Sequence, residues 1–370
     1  MNDLHEDLEE CAAFRSRFKI DHPELLMGSP YPEPKEWGSA EADFSWAFDY
    51  AHEEVRNRFL AIIEEALTNY DLDGVDLDFL RGPYYFKTGQ REKGMPLLTD
   101  FMRKVRDAVS KVSKQKGKPL TLSVRVDPSF EACERAGLDV RTWIEEGLAD
   151  LVTPMAHGRL DMNADVWEFV KVARAAGTCE IGGGIEGRTY GYGFLPDGDI
   201  GSNREPSIEI LRAAAMGYYD QGAASLYLFN YYWGFAGQQS LEIQAKLQAL
   251  KEIGNRQSIA RKNKRYAVSI DNHPDLYGRA VSLLLQLPAP PFQRLGQQQR
   301  FTLWIGDDLD AARRHGVLEA TRLRLTFGGL SYPRRCHQCP TQRQHHHPGT
   351  RPLAPFRYPD PPGTRNTGNE

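Results

Sequence analysis

The chain has 370 residues, 41% hydrophobic and 26% charged, which supports a sizeable buried core and excludes wholesale disorder. Its net charge of -4, from 46 basic and 50 acidic residues, is too balanced for a nucleic-acid or membrane-surface partner. No run approaches the roughly 18 apolar residues of a membrane span.

The opening MNDLHEDLEEC is acidic and has no apolar h-region, so no export signal is expected in the chain as given, and the compartment stays undetermined. There are five cysteines, an odd number. Cys11, Cys133 and Cys179 are widely separated and read as small packing residues, which argues against a disulfide framework.

From about 44 to 254 the chain alternates helical patterns with short apolar strands. Val55, Phe59, Ile62, Ile63, Ala66 and Tyr70 recur at helical spacing, so 53–70 reads as an amphipathic helix. Asp71–Gly74 breaks it, and Val75–Leu80 reads as a strand. A helix over 95–115 precedes the strand Leu120–Val126, and a short helix at 139–147 precedes Leu151–Met155. A helix at 164–176 leads to a Gly-rich strand around Ile181–Ile185. Glu205–Gln221 reads as helix, Ala223–Phe229 as strand and Leu241–Ile253 as a closing helix. Five strands, each followed by a helix, predict a parallel sheet with helices outside it. GGGIEG follows no dinucleotide-type βα turn, so a (β/α)8 barrel is favoured over a doubly wound sheet. A full barrel needs eight strands and about 250 residues, so five strands leave it incomplete.

Residues 255–265 are polar and basic and read as a linker. Over 266–330 the period changes. Ala280–Leu287, Phe301–Ile305 and Thr321–Phe327 read as strands of a small all-β, sandwich-like segment. Residues 331–370 are rich in Pro and Arg and poor in aliphatic side chains, as in a disordered tail. Cys336, Cys339 and His345–His347 fall in that tail. They could complete a zinc tetrahedron, but no strand pattern holds them, so chance clustering is favoured and no metal or other cofactor is expected.

The segment YDLDGVDLDFLRGP (70–83) carries the most chemistry. Alternation turns Val75, Leu77 and Phe79 toward the helices and Asp76 and Asp78 into the barrel. Barrel active sites lie at the strands' C-terminal ends, so Asp78 stands nearer the mouth and Asp76 deeper, as a structural carboxylate. On the next strand Ser123, Arg125 and Asp127 share a face. Arg125 can neutralise Asp76 or Asp78, and Asp127 lines the mouth or starts a turn at Pro128. His157 ends the third strand, where it donates to a substrate hydroxyl or caps a loop. Glu186 ends the fourth, with Gly182–Gly184 leaving space on the inner wall beneath it. A carboxylate beside open space suits general acid–base work. Aromatics follow three strand ends: Tyr84, Tyr85 and Phe86; Tyr190, Tyr192 and Phe194; and, after Asn230, Tyr231, Tyr232, Trp233 and Phe235. Each alone reads as loop packing. Together they favour a carbohydrate, with Tyr84, Tyr190, Tyr192, Asn230, Tyr232 and Trp233 as contacts.

FDYAHEEVRNRFLAIIEEALTNYDLDGVDLDFLRGPYYF (48–86) resembles the glycoside-hydrolase-like TIM barrels of bacteria, in which a P-E-V-R helix start precedes a Y-D-V-D-G-I-x-x-D strand. Here Glu53 replaces the proline. The resemblance runs over about 1–254, and it implies that the YDxDG strand is the fourth of the barrel, so that the five strands are the fourth to the eighth. On that reading the chain is an N-terminally truncated barrel, and a missing export signal says nothing of the longer parent. Asp78 matches the motif's last Asp. Glu186 joins it from spacing, because carboxylates on strands four and seven recur in retaining glycosidases, an analogy of fold only. The expected activity is hydrolysis of a poly- or oligosaccharide by Asp78 and Glu186, with Asp76, Arg125 and His157 orienting them. The alternatives are a non-catalytic carbohydrate-binding or inactive barrel and, less favoured, a metal-dependent hydrolase using Asp76, Asp78 and His157.

Overall fold

The computed structural model describes residues 13, 15–28, 44–156, 160–162, 164–187, 206–231, 240–267 and 303–322. Residues 1–326 belong to one compact unit, and 327–370, the second, lie outside the described residues. After α1 (Arg17–Asp21) and α2 (Glu53–Asn69) comes β1 (Gly74–Asp78). It is followed by α3 (Arg91–Lys116), β2 (Thr121–Val126), α4 (Phe130–Ala136), α5 (Val140–Glu145) and β3 (Leu151–Pro154). Then come α6 (Val166–Ala176), β4 (Glu180–Glu186), α7 (Ile208–Gln221), β5 (Ser225–Phe229), α8 (Ser240–Ile253) and α9 (Arg256–Ile259). A last short helix, α10, spans Leu309–Arg314.

The strands pair in sequence order, every pair parallel. That is the order of a barrel wall, without the reversal that marks a doubly wound sheet. Neighbouring strands lie about 4.8 Å apart, so β2 and β5 would stand roughly 14 Å apart in a flat sheet. Yet the Arg125 guanidinium on β2 lies 3.7 Å from the centre of the Phe229 ring on β5. Arg81, just after β1, lies 5.9 Å from the same ring. Side chains that far apart in strand order meet only if the sheet curls around the face that carries them. The sheet is therefore a barrel-like arc.

The outer face is apolar. Leu77, Leu122, Val124, Val126, Val152, Ile181 and Ile185 are buried under the helices. Phe79 packs on Trp143 of α5, with ring centres 5.0 Å apart. On α2 the buried stripe is Val55, Ile63 and Leu67, narrower than the spacing predicted. Ile62 and Tyr70 are exposed, because α2 covers the end strand β1 and has only α3 among its main helix neighbours. α3 begins one turn before the predicted start and carries Pro96 inside it. Gly94 lets the Phe86 ring pack directly on this added turn, where a Cβ would stand 2.3 Å from it. α4 was not predicted. Its signals are the Ser129 cap, whose Oγ accepts from Ala132 N at 3.1 Å, and Gly137 at its end.

The stretch read as a linker is docked. Ile259 is buried, Lys262 pairs with Glu252 at 2.8 Å, and Arg256 with Asp220 at 2.9 Å. Residues 303–305, read as part of a strand, form none and run irregularly onto α7. Trp304 Nε1 donates to Asp220 Oδ2 at 3.0 Å, and Asp307 accepts from the Tyr266 hydroxyl at 2.9 Å and pairs with Lys264 at 2.8 Å. Indole and carboxylate anchoring of this kind fixes the chain without a β ladder. Ala280–Leu287, Leu323–Phe327 and the Cys336–His347 cluster lie outside the described residues.

Candidate active site

Asp78 and Glu186 are the last residues of parallel strands, so both stand at one end of the sheet. They also share its inner face. A Cβ on Gly183 would strike Tyr218 of the outer helix α7, whereas one on Gly182 or Gly184 would strike Thr153 or Met155. Alternation then sets Glu186 with Gly182 and Gly184, on the face where Met155 Sδ meets Arg125 Nη1 at 3.4 Å.

Arg125 is the hub of this end. It is 0% exposed, and it grips Asp78 with two hydrogen bonds, Nε to Oδ1 at 2.9 Å and Nη2 to Oδ2 at 2.6 Å. Its flat face lies on Phe229. A planar guanidinium suits this position because it binds a carboxylate through one edge and an aromatic through its face. Asp78 Oδ1 also accepts from Leu80 N at 2.9 Å and Arg81 N at 3.2 Å, which shapes the turn leaving β1. Fixed at four points, Asp78 still presents 24% of its side chain to solvent. The partner of Arg125 is thus the outer carboxylate, not Asp76.

Asp76 instead accepts from Ser123 Oγ at 2.5 Å. Its side chain reaches solvent, but the surrounding sheet desolvates the carboxyl enough to raise it above its usual range. The Ser123 hydrogen bond opposes that rise and the Asp78 charge adds to it. Glu186 is wholly buried. The space expected beneath it is filled: the Thr153 and Ser225 hydroxyls occupy the gap at Gly182, and Met155 that at Gly184. The glycines exist for that interlocking.

Asp127 follows β2 and is 3% exposed. Burial lifts its carboxyl to about 7, against the partial opposition of Arg135 and Arg125. Asn230 leaves β5 with φ of 53°, a left-handed conformation that Asn tolerates. Gly187 makes room for its carbonyl, which a Cβ there would approach to 2.5 Å. Tyr84 is not on a rim. It is buried, with its ring centre 4.7 Å from that of Phe44. Tyr85 and Phe86 are likewise buried, and the Tyr85 hydroxyl donates to Phe79 O at 2.6 Å. His157, Tyr190, Tyr192, Tyr232 and Trp233 lie outside the described residues. Sequence reasoning did not single out Phe229 or the Met155 side chain. Phe229 was findable, since alternation in SLYLF puts it inward with Tyr227. Nothing in the sequence marked the Met155–Arg125 contact.

No family model and no curated protein matches the chain. Among solved structures it is similar to a chitinase from Bacillus thuringiensis, with 19% identity over 43% of this chain and 29% of that one, at a TM-score of 0.30. It is also similar to a glycoside hydrolase family 18 N-acetylglucosaminidase from Paenibacillus barengoltzii, with 15% identity over 55% of this chain and 77% of that one, at a TM-score of 0.38. The chain spans less than a third of the chitinase. Likeness at this level says nothing of chemistry.

Proposed function

We propose that this chain carries the site of a glycoside-hydrolase-like enzyme acting on a poly- or oligosaccharide, with Asp78 and Glu186 as the paired carboxylates. The observation that supports it is the shared placement of both groups, on one face and one end of a curled parallel sheet, beside the Arg125–Phe229 platform. The resemblance of 48–86 to hydrolase-like barrels points the same way. In such a reaction one carboxylic acid protonates the departing glycosidic oxygen as the C–O bond breaks. The other carboxylate attacks the anomeric carbon or activates the water that does. Asp78, held rigidly yet open to solvent, suits the second task. Asp76 and Arg125 support the site, and His157, Tyr190, Tyr192, Asn230, Tyr232 and Trp233 supply sugar contacts, while Asp127, buried just past the β2 end, touches no sugar.

The test is a panel of aryl glycosides and soluble polysaccharides, assayed with and without chelator. Turnover unaffected by chelator is expected, and Glu186→Gln should lose at least ~10²-fold, the low end of what general acid–base help supplies. No turnover on any member, or full turnover by Glu186→Gln, overturns the pair. The complete burial of Glu186 favours one second reading, carbohydrate binding without hydrolysis. Saturable binding of an oligosaccharide with no product formed would establish it.

A further inference from the structure

Asp127 is a buried carboxyl whose two nearby cations are committed elsewhere. Arg125 spends Nε and Nη2 on Asp78 and turns Nη1 to Met155. Arg135, on α4, lies 3.7 Å from Glu131 and is well exposed. Among the described residues Asp127 Oδ2 is buried and has no hydrogen-bond partner. Its backbone carbonyl accepts from the Cys133 thiol at 3.5 Å, which ties the residue just past the β2 end to α4. A buried polar atom left unsatisfied costs free energy and calls for a reason. The groups that act on this carboxyl are Arg125 from β2 and Arg135 from α4, with Cys133 of α4 and Tyr85 of the β1–α3 loop sensing its charge in turn. Cys133 and Tyr85 are themselves held neutral by burial, so neither can balance an anion.

We propose that Asp127 is a positioning residue: a buried, proton-holding carboxyl two residues beyond Arg125, whose ionisation draws Arg125 from Asp78. With Asp127 protonated, the Arg125 charge goes wholly to Asp78. With it ionised, two carboxylates compete for one buried guanidinium, and the Asp78 geometry loosens. The direction follows: the site is ordered at acid to neutral pH and loosens as pH rises through about 7, where burial has placed this carboxyl. The inference rests on the proposed hydrolysis only for its effect on rate.

The experiment follows the Arg125 Nε–H resonance of ¹⁵N-arginine-labelled protein from pH 5 to 8.5, assigned with Arg125→Lys. The Asp127 carboxyl is followed in parallel by ¹³C-aspartate labelling, which needs no variant. A common midpoint near 7 for both signals is expected, and Asp127→Asn, which mimics the protonated form in shape and charge, should leave Arg125 flat. A flat Arg125 signal in the unaltered protein overturns the proposal. So does a midpoint that persists in Asp127→Asn. On an active glycoside, kcat/KM should fall up to tenfold per pH unit above that midpoint, and Asp127→Asn should remove this limb while keeping the acid-side rate. Loss of the acid-side rate as well would show a merely structural role. A resonance midpoint in a protein that hydrolyses no glycoside would uphold the positioning role and overturn the hydrolase reading.

Discussion

At the residue scale, the decisive feature is which aspartate Arg125 holds. Alternation put both Asp76 and Asp78 on the inner face but could not choose between them, because register across the β1–β2 pair is a tertiary fact. The ladder sets Asp78 opposite Arg125 and Asp76 opposite Ser123, and the side chains bond accordingly. Of the two, Asp78 is therefore the carboxylate whose charge matters more to stability. Asp78→Asn leaves a buried guanidinium with a neutral partner, and breaking such a pair from one side costs about 3–5 kcal/mol. Asp76→Asn removes a solvent-reaching charge bonded to one hydroxyl and should cost about 1 kcal/mol or less. Urea unfolding of the two variants checks the order. Equal midpoints would mean that the Arg125 grip contributes little. The Asp78→Asn loss also means that kinetics on that variant must be read only under conditions where it is shown to be folded.

At the element scale, the sequence was legible where one period dominated. The βα alternation, the five strands and most helices follow from hydrophobic spacing, and strand ends fall within two residues of expectation. It was misleading where packing overrode pattern. The Gly-rich β4 reads as a thin strand beside space, but its glycines admit neighbours. Met155 reaches over Gly184 to touch Arg125, and Tyr218 lies on Gly183 from the other side. Tyr84, Tyr85 and Phe86 follow a strand end as rim aromatics would, yet all three are buried, the Phe86 ring in the room that Gly94 and Gly137 leave. The segment after 265 alternates like strands, but Trp304 is anchored to Asp220 of α7 and Asp307 to Lys264 by polar bonds that no periodicity encodes. Interlocking at β4 gives a sharp test. A Cβ on Gly184 would stand 2.1 Å from Met155 Cβ, so Gly184→Ala overpacks the inner face and should cost about 1–3 kcal/mol. Adding Met155→Gly should recover part of that loss, since it removes the clashing Cβ along with the rest of the side chain. A double variant no more stable than Gly184→Ala alone would show that the β4 backbone, not Met155, carries the strain.

At the scale of the whole described unit, the arc ends at β1 and β5, which pair with β2 and β4 on one side only among the described residues. Its inner wall is unlike the bulky branched layers that fill a closed barrel. The inward positions Asp76, Ser123, Thr153, Gly182 and Ser225 are small or polar, and Asp76 reaches water. The apolar side chains that face inward are engaged: Met155 is buried against Arg125, and the Phe229 ring lies under the same guanidinium. The strand edges differ. Every residue of β5 is only half-buried, Leu226 and Leu228 included, and among the described residues no strand pairs with its outer edge, the kind of edge that recruits another strand. The chain should therefore self-associate through backbone pairing rather than through the inner wall. Sedimentation over a range of protein concentrations should show growing assemblies, little changed by salt, because screening acts on exposed charges and not on a backbone ladder. Assemblies that dissolve as salt rises would point to charge pairing instead. A monomer at every concentration with one sharp cooperative melt would show that both edges are already covered in solution.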